Sequence, residues 1–246
     1  LEKKYNLHTK TQSDGEPVIV SNKHKFIFSR STKVGGKSAQ AMILRSGMLG
    51  DGDFHCGEAY KMSEGSIDDM TLPETFIKTI DASYIKAGVI LSHAKPDDLI
   101  ANGIASKSEV SDYTFVTMIR NPIERYISAW VYEGGKDITI LKSRIKNSNS
   151  PMSILFSKPE DHLMIDGVRA KRFCAIDCGD LENGVRAFIQ GVGGEFNGSI
   201  NIGSGNYPKE VKGHYSEFLT QGEISSLRKA LSDEISFYTE VTGVRV

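Results

Sequence analysis

The stretch Ser29-Arg-Ser-Thr-Lys-Val-Gly-Gly-Lys-Ser38 sets paired glycines between two lysines, with hydroxyl residues on both sides. Those residue types, in that order, can cradle a phosphate. Glycine lets the backbone turn sharply and approach an anion closely, and the free amides at a helix N-terminus point at the charge. Lys33 or Lys37 then adds a full positive charge. Phe26-Ile-Phe28 ahead of the loop reads as part of a strand over 25 to 29, and Ala39-Gln-Ala-Met-Ile-Leu44 behind it as part of a helix over 38 to 49. A plain glycine-rich turn has the same local pattern, so a second motif has to decide what the loop is for.

Two registers can be laid on the loop, and they use different lysines. Ser31-x-x-x-x-Gly36-Lys37-Ser38 falls one residue short of a Walker A motif, because Ser31 stands where the first glycine belongs. In that register Lys37 reaches the phosphates, Ser38 holds magnesium, and the chain is a P-loop nucleotide kinase or hydrolase. Read instead as Thr32-Lys33-Val-Gly35-Gly36-Lys37-Ser38, the stretch resembles the 5'-phosphosulfate loop of sulfotransferases, whose usual form is Pro-Lys-Thr-Gly-(Gly/Ser)-Thr-Ser. Lys33 is then the important cation.

About ninety residues later the balance tips. Tyr113-Thr-Phe-Val-Thr-Met-Ile119 is a β-branched and aromatic run that feeds directly into Arg120-Asn-Pro-Ile-Glu-Arg-Tyr-Ile-Ser128-Ala-Trp130. This predicts a strand over 113 to 119 and a helix over 122 to 132. Asn121 suits the N-cap and Pro122 the first helical position, and Glu124 completes a capping box in the wider sense. Arg120 is thereby held at the mouth of a sheet. The segment resembles the 3'-phosphate motif Arg-Asp-Pro-x-Glu-Arg-x-x-Ser-Ala of PAPS-dependent sulfotransferases, in the carbohydrate branch that includes the heparan 2-O-sulfating enzymes, with Asn121 in place of Asp. The resemblance implies that Arg120 and Ser128 grip the 3'-phosphate of 3'-phosphoadenosine 5'-phosphosulfate (PAPS). Lys33, Gly35, Gly36, Lys37 and Ser38 would hold its other end. A nucleoside-triphosphate enzyme more often ends such a strand on an aspartate that organises magnesium; an arginine suits a phosphate.

Sulfuryl transfer needs the acceptor deprotonated, both partners positioned and the charge on the departing phosphate oxygen stabilised. The resemblance gives Lys33 the last task and implies no metal. Two residues are candidates for the base. His93 directly follows Gly88-Val-Ile-Leu-Ser92, read as a short strand, so it projects at the sheet's carboxyl end, where an open α/β sheet binds its ligands, and its ordinary pKa suits proton abstraction at neutral pH. Glu58, in Phe54-His-Cys-Gly-Glu58, instead resembles the acidic base of tyrosylprotein sulfotransferases. His93 is the preferred reading. Lys212-Gly213 resembles the late Lys-Gly loop that closes over the nucleotide in some sulfotransferases. A catalytically inactive phosphoadenosine- or carbohydrate-binding module would keep Arg120 and Ser128 without a productive base.

The elements that must carry these residues alternate between strand and helix, which argues for a parallel sheet covered on both faces. The expected fold is α/β, a single domain with a P-loop-like central parallel sheet flanked by helices, over residues 25–246 after a polar N-terminal arm at 1–24. A helical turn is expected over Asp97 to Asn102 and a polar segment over Lys136 to Lys158, with Asn147-Ser-Asn-Ser-Pro151 as its mobile stretch. A strand should follow at Arg172 to Asp177, then a helix over 181 to 190 capped by Asp180. One closing helix opens on the capping box Thr220 and Glu223, with Ile224, Leu227, Leu231, Ile235 and Tyr238 at helical spacing.

A chain of 246 residues can bury a full core as one domain, and a formal net charge of -1 gives no general field for nucleic acid or anionic membrane. The expected partner is a small-molecule or oligosaccharide acceptor. No stretch approaches the roughly 20 apolar residues of a membrane span. The chain begins Leu1-Glu-Lys-Lys-Tyr, with neither an initiator Met nor an apolar leader, which reads as a trimmed end. Cys56, Cys174 and Cys178 form an odd set without a second ligand pair, so they read as buried or free thiols. The expected compartment is the reducing cytoplasm, with a secretory-lumen domain trimmed of its anchor as the alternative. Asn197-Gly-Ser199 is a glycosylation sequon of the kind that arises by chance.

Overall fold

The computed structural model describes residues 18–50, 53–56, 94–101, 103–147, 157–199 and 208–246. Its centre is a five-stranded sheet built from β1 (Val18–Ser21), β2 (Phe26–Phe28), β3 (Phe54–Cys56), β4 (Thr114–Ile119) and a last strand, Phe173–Asp177, in the spatial order β3, β1, β2, β4, Phe173–Asp177. Between β4 and that last strand lie β5 (Met164–Ile165) and β6 (Val168–Arg169), a separate two-stranded ribbon, so the last strand is β7. The helices are α1 (Gly36–Arg45), α2 (Pro96–Ala101), α3 (Lys107–Val110), α4 (Pro122–Tyr132), α5 (Ile138–Asn147), α6 (Leu181–Gly191), α7 (Gln221–Ala230) and α8 (Ser232–Thr242).

Strand side chains alternate between two buried faces, as a period of two requires. Ile19, Phe26, Phe28, Val116, Met118 and Ile176 meet α1 and α6 through Met42, Ile43, Val185, Phe188 and Ile189. Val18, Val20, Ile27, Phe115 and Ile119 point the other way and meet Leu99, Val110, Phe237 and Tyr238 of α2, α3 and α8. A third cluster packs α4 against α5, α7 and the turns around Val211 and Tyr215. The expected α/β architecture with helices on both faces is what forms.

Parallel pairing is confined to the half of the sheet that carries the loops. β2 runs parallel to β4, with Phe28 opposite Val116, and β4 runs parallel to β7, with Ile119 opposite Asp177. On the other side β1 is antiparallel to both β2 and β3. β1 comes from within the segment read as a polar arm: Val18, Ile19 and Val20 are buried, and the reversal at 22–25 is short enough to make a hairpin.

Three local expectations change. Residues 138–147 form a helix, α5, anchored by Leu141 and Ile145, within the segment read only as polar. The single closing helix is two, broken at Leu231, whose φ and ψ of -107° and 19° end α7 and open α8. Asp180 stands at the N-cap of α6 but makes no capping bond; its Oδ1 accepts from Asn183 Nδ2 at 2.8 Å. The helix expected over 38 to 49 starts two residues earlier and ends four residues sooner, at Arg45, whereas α4 covers 122 to 132 as read.

Candidate active site

The loop between β2 and α1 begins by extending the sheet, because Ser29 N donates to Val116 O at 3.0 Å. It then turns through two left-handed residues, Lys33 at φ 62° and Gly35 at φ 79°. α1 starts at Gly36 with Gly35 as its N-cap, and its first turn carries no acidic residue. A helix N-terminus with no capping side chain leaves its amides to an external anion. Both glycines are required by what lies against them. A Cβ at Gly36 would overlap the Arg30 side chain, and one at Gly35 would stand 2.7 Å from Cys178 Sγ in a backbone conformation that only glycine adopts freely. Arg30 is itself buried, 2% exposed. The Lys33 ammonium lies 4.2 Å from the centre of the Tyr132 ring, a cation–π contact at the end of α4.

Arg120 leaves β4 at the same end of the sheet, one strand over. Asn121 caps α4 as expected, its Oδ1 accepting from Ile123 N at 3.0 Å and Glu124 N at 3.4 Å. The reciprocal arm of the capping box is replaced: the Glu124 carboxylate turns to Arg120 Nε at 3.4 Å and orients the guanidinium. Ser128, two turns along α4, is buried.

β7 ends beside Arg120, and its last residues close the site's third side. Asp177 Oδ1 accepts from Gly179 N at 2.9 Å and Oδ2 from Tyr238 Oη of α8 at 2.8 Å. Burial pushes the Cys178 thiol up, opposed by the positive charge of Arg120. Burial alone raises Cys174 to about 11. Both thiols are therefore protonated near neutral pH and behave as packing groups beside the loop.

Behind the loop sits Arg125, fully buried. Its Nε donates to Thr32 O at 2.8 Å, one terminal nitrogen to Ser157 O at 2.8 Å and the other to Glu234 Oε2 of α8 at 2.7 Å. Burial pushes the Glu234 carboxyl up, and the Arg125 charge pulls against it. Ser29 Oγ meets both Ala94 O and His162 Nδ1, the latter at 2.6 Å, while His162 Nε2 meets Ser157 Oγ at 3.3 Å. Ala94 O can only accept, so the Ser29 hydroxyl donates to it and accepts from His162, which carries its proton on Nδ1.

The loop that carries Lys33, Gly35, Gly36, Lys37 and Ser38 follows β2, Arg120 follows the adjacent parallel strand β4, and Ser128 lies further along α4. Cationic side chains and a helix N-terminus at one end of a sheet are the residue types that binding an anion calls for. His93, the strand expected at 88–92 that leads to it, and Glu58 lie outside the described residues. Lys212 and Gly213 sit on an exposed turn whose neighbours Val211 and Tyr215 are anchored against α4. Among the described residues no cluster of His, Cys, Asp and Glu is arranged for a metal. No helix among them is long and apolar enough to cross a membrane.

Sequence reading missed Arg30, the Arg125–Glu234 pair and the Asp177–Tyr238 contact. Arg125 had a local signal, since its place three and four residues before Ser128 and Ala129 puts it on the buried face of α4. Glu234 and the Asp177–Tyr238 contact depend on residues distant in sequence.

A search of curated proteins and one of solved structures each returned no match. The family model described as "Sulfotransferase family" matches residues 16–153, which takes in β1 to β4, the glycine loop and the whole Arg120 to Ser128 segment. With that match spanning more than half of its 246 residues, the chain belongs to the sulfotransferase family.

Proposed function

We propose that the protein transfers a sulfuryl group from 3'-phosphoadenosine 5'-phosphosulfate to an acceptor hydroxyl, in the manner of the heparan 2-O-sulfating branch and with a carbohydrate as acceptor. The observation that carries this reading is the adjacency of two phosphate-type sites on parallel neighbours. β2 leads into a loop whose helix start has no side-chain cap, and β4 leads into Arg120 and, along α4, Ser128. A single nucleotide with phosphate at both its 3' and 5' positions matches two such sites on one sheet edge.

The residues fit that donor. Gly35 and Gly36 let the Cys178 and Arg30 side chains pack directly against the loop backbone at the start of α1, and Lys33 and Lys37 bracket the two glycines in sequence. The donor supplies the activated sulfuryl group. The chain's own residues do the rest: the loop amides and Ser38 hold the 5' end, Arg120 and Ser128 fix the 3' end, and Lys33 stabilises charge on the departing oxygen. The acceptor proton goes to His93, with Glu58 as the other candidate base; a histidine titrates near neutral pH without further tuning. The carbohydrate acceptor rests on the likeness of the Arg120 segment to that branch.

Calorimetry with 3'-phosphoadenosine 5'-phosphate and with adenosine 5'-phosphate, on wild type and Arg120→Ala, tests the assignment. The wild type should prefer the bisphosphate, and the double difference should give a coupling of about 2 kcal/mol or more between Arg120 and the 3'-phosphate. A wild type indifferent to the 3'-phosphate refutes the donor assignment.

A further inference from the structure

We infer that Arg125 is a positioning residue for the donor site, setting the loop that carries Lys33 against the helix that carries Ser128, with Glu234 as its anchor. The inference rests on the donor reading above. Arg125 sits between Arg120 and Ser128 in sequence and on the same rigid helix as Ser128. Its Nε takes the carbonyl of Thr32, the residue just before Lys33, at 2.8 Å. In a trans peptide the carbonyl and the following N–H point in opposite directions. Holding Thr32 O toward Arg125 therefore aims the Lys33 amide away from the clamp and fixes the peptide plane from which Lys33 springs.

Lys33 needs such support. Its φ of 62° is left-handed, a conformation that a residue with a side chain keeps only when its surroundings dictate it. The guanidinium is a suitable brace because its planar fork spends its bonds in fixed directions, on Thr32 O, Ser157 O and Glu234 Oε2. Ser157 is held in turn through its hydroxyl by His162, which also meets Ser29 at the start of the same loop. The loop is thus gripped from behind at Ser29 and at Thr32. Arg125 and Glu234 are 0% and 8% exposed, so neither is available to touch a substrate. Their effect on the reaction has to pass through the backbone of the loop.

Positioning and mere stabilisation predict different binding patterns, which three nucleotides separate without an acceptor. The ratio of affinities for 3'-phosphoadenosine 5'-phosphate and adenosine 3'-phosphate reports the 5' site on the loop. The ratio for 3'-phosphoadenosine 5'-phosphate and adenosine 5'-phosphate reports the 3' site at Arg120 and Ser128. In Arg125→Lys, which keeps the charge but loses the fork, the 5' ratio should fall by about tenfold or more while the 3' ratio stays close to wild type. Glu234→Gln, nearly isosteric and still able to accept from Arg125, should lower the 5' ratio by less and in the same direction. It decides the question alone if Arg125→Lys does not fold. Folded variants with both ratios unchanged, or with both lowered together, overturn the positioning role while leaving the donor reading intact. A wild type that ignores the 3'-phosphate overturns the donor reading itself and the inference with it.

Discussion

Tyr238 Oη donates to Asp177 Oδ2 at 2.8 Å, tying the last helix to the strand end beside Arg120 across 61 residues of sequence. Burial first, then the hydrogen bond and negative charge of Asp177, push the Tyr238 phenol well above its ordinary range. The folded state thus keeps a proton that the unfolded chain would release near pH 10. The resulting stabilisation is complete below about pH 10 and is lost as pH rises through the folded value. Tyr238→Phe should cost about 1 kcal/mol at neutral pH, and the gap between the two proteins should narrow in denaturant titrations above about pH 10. Coincident stability profiles would show that this hydroxyl contributes nothing, and parallel offset ones that its contribution does not depend on its titration.

Lys33 and Lys37 flank the same pair of glycines, yet their geometry differs. Lys33 leaves a left-handed turn braced from behind by the Thr32 carbonyl bond, whereas Lys37 lies within the first turn of α1. Lys33→Ala should lower single-turnover sulfuryl transfer by on the order of 10² or more, with Lys37→Ala clearly milder. The opposite ranking, accompanied by a magnesium requirement, would point to nucleoside-triphosphate chemistry at Lys37 and Ser38.

The base is tested by comparing His93→Ala with Glu58→Ala. Loss of a general base lowers turnover by on the order of 10² but leaves donor affinity alone, because the base touches the acceptor. His93→Ala should show that pattern and Glu58→Ala a much smaller loss. The reverse order of turnover numbers would assign proton abstraction to Glu58.

What the sequence determined by itself is confined to features closed within a few residues. Asn121, Pro122 and the apolar run before them set the start of α4 because the cap bonds reach only to Ile123 and Glu124. Gly35 and Gly36 could be read as a loop entering a helix because the need for glycine is felt locally, in a φ of 79° and an uncapped helix start. The order of strands and helices, and hence the α/β architecture, followed from the same short-range patterns. Tertiary structure decided everything that required two distant segments to meet. Val18 to Ser21 became a strand between β2 and β3 because its apolar side chains had both faces of the sheet to fill. Helical spacing runs unbroken through Leu231, but Ile224 and Leu227 pack toward α4 while Phe237 and Tyr238 pack toward the sheet, so one amphipathic run had to split to serve two clusters. The fork of Arg125 reaches back 93 residues to Thr32 and forward 109 to Glu234. No periodicity encodes such contacts, because a buried charge takes its partners from whichever chain segments the packing brings within bonding distance.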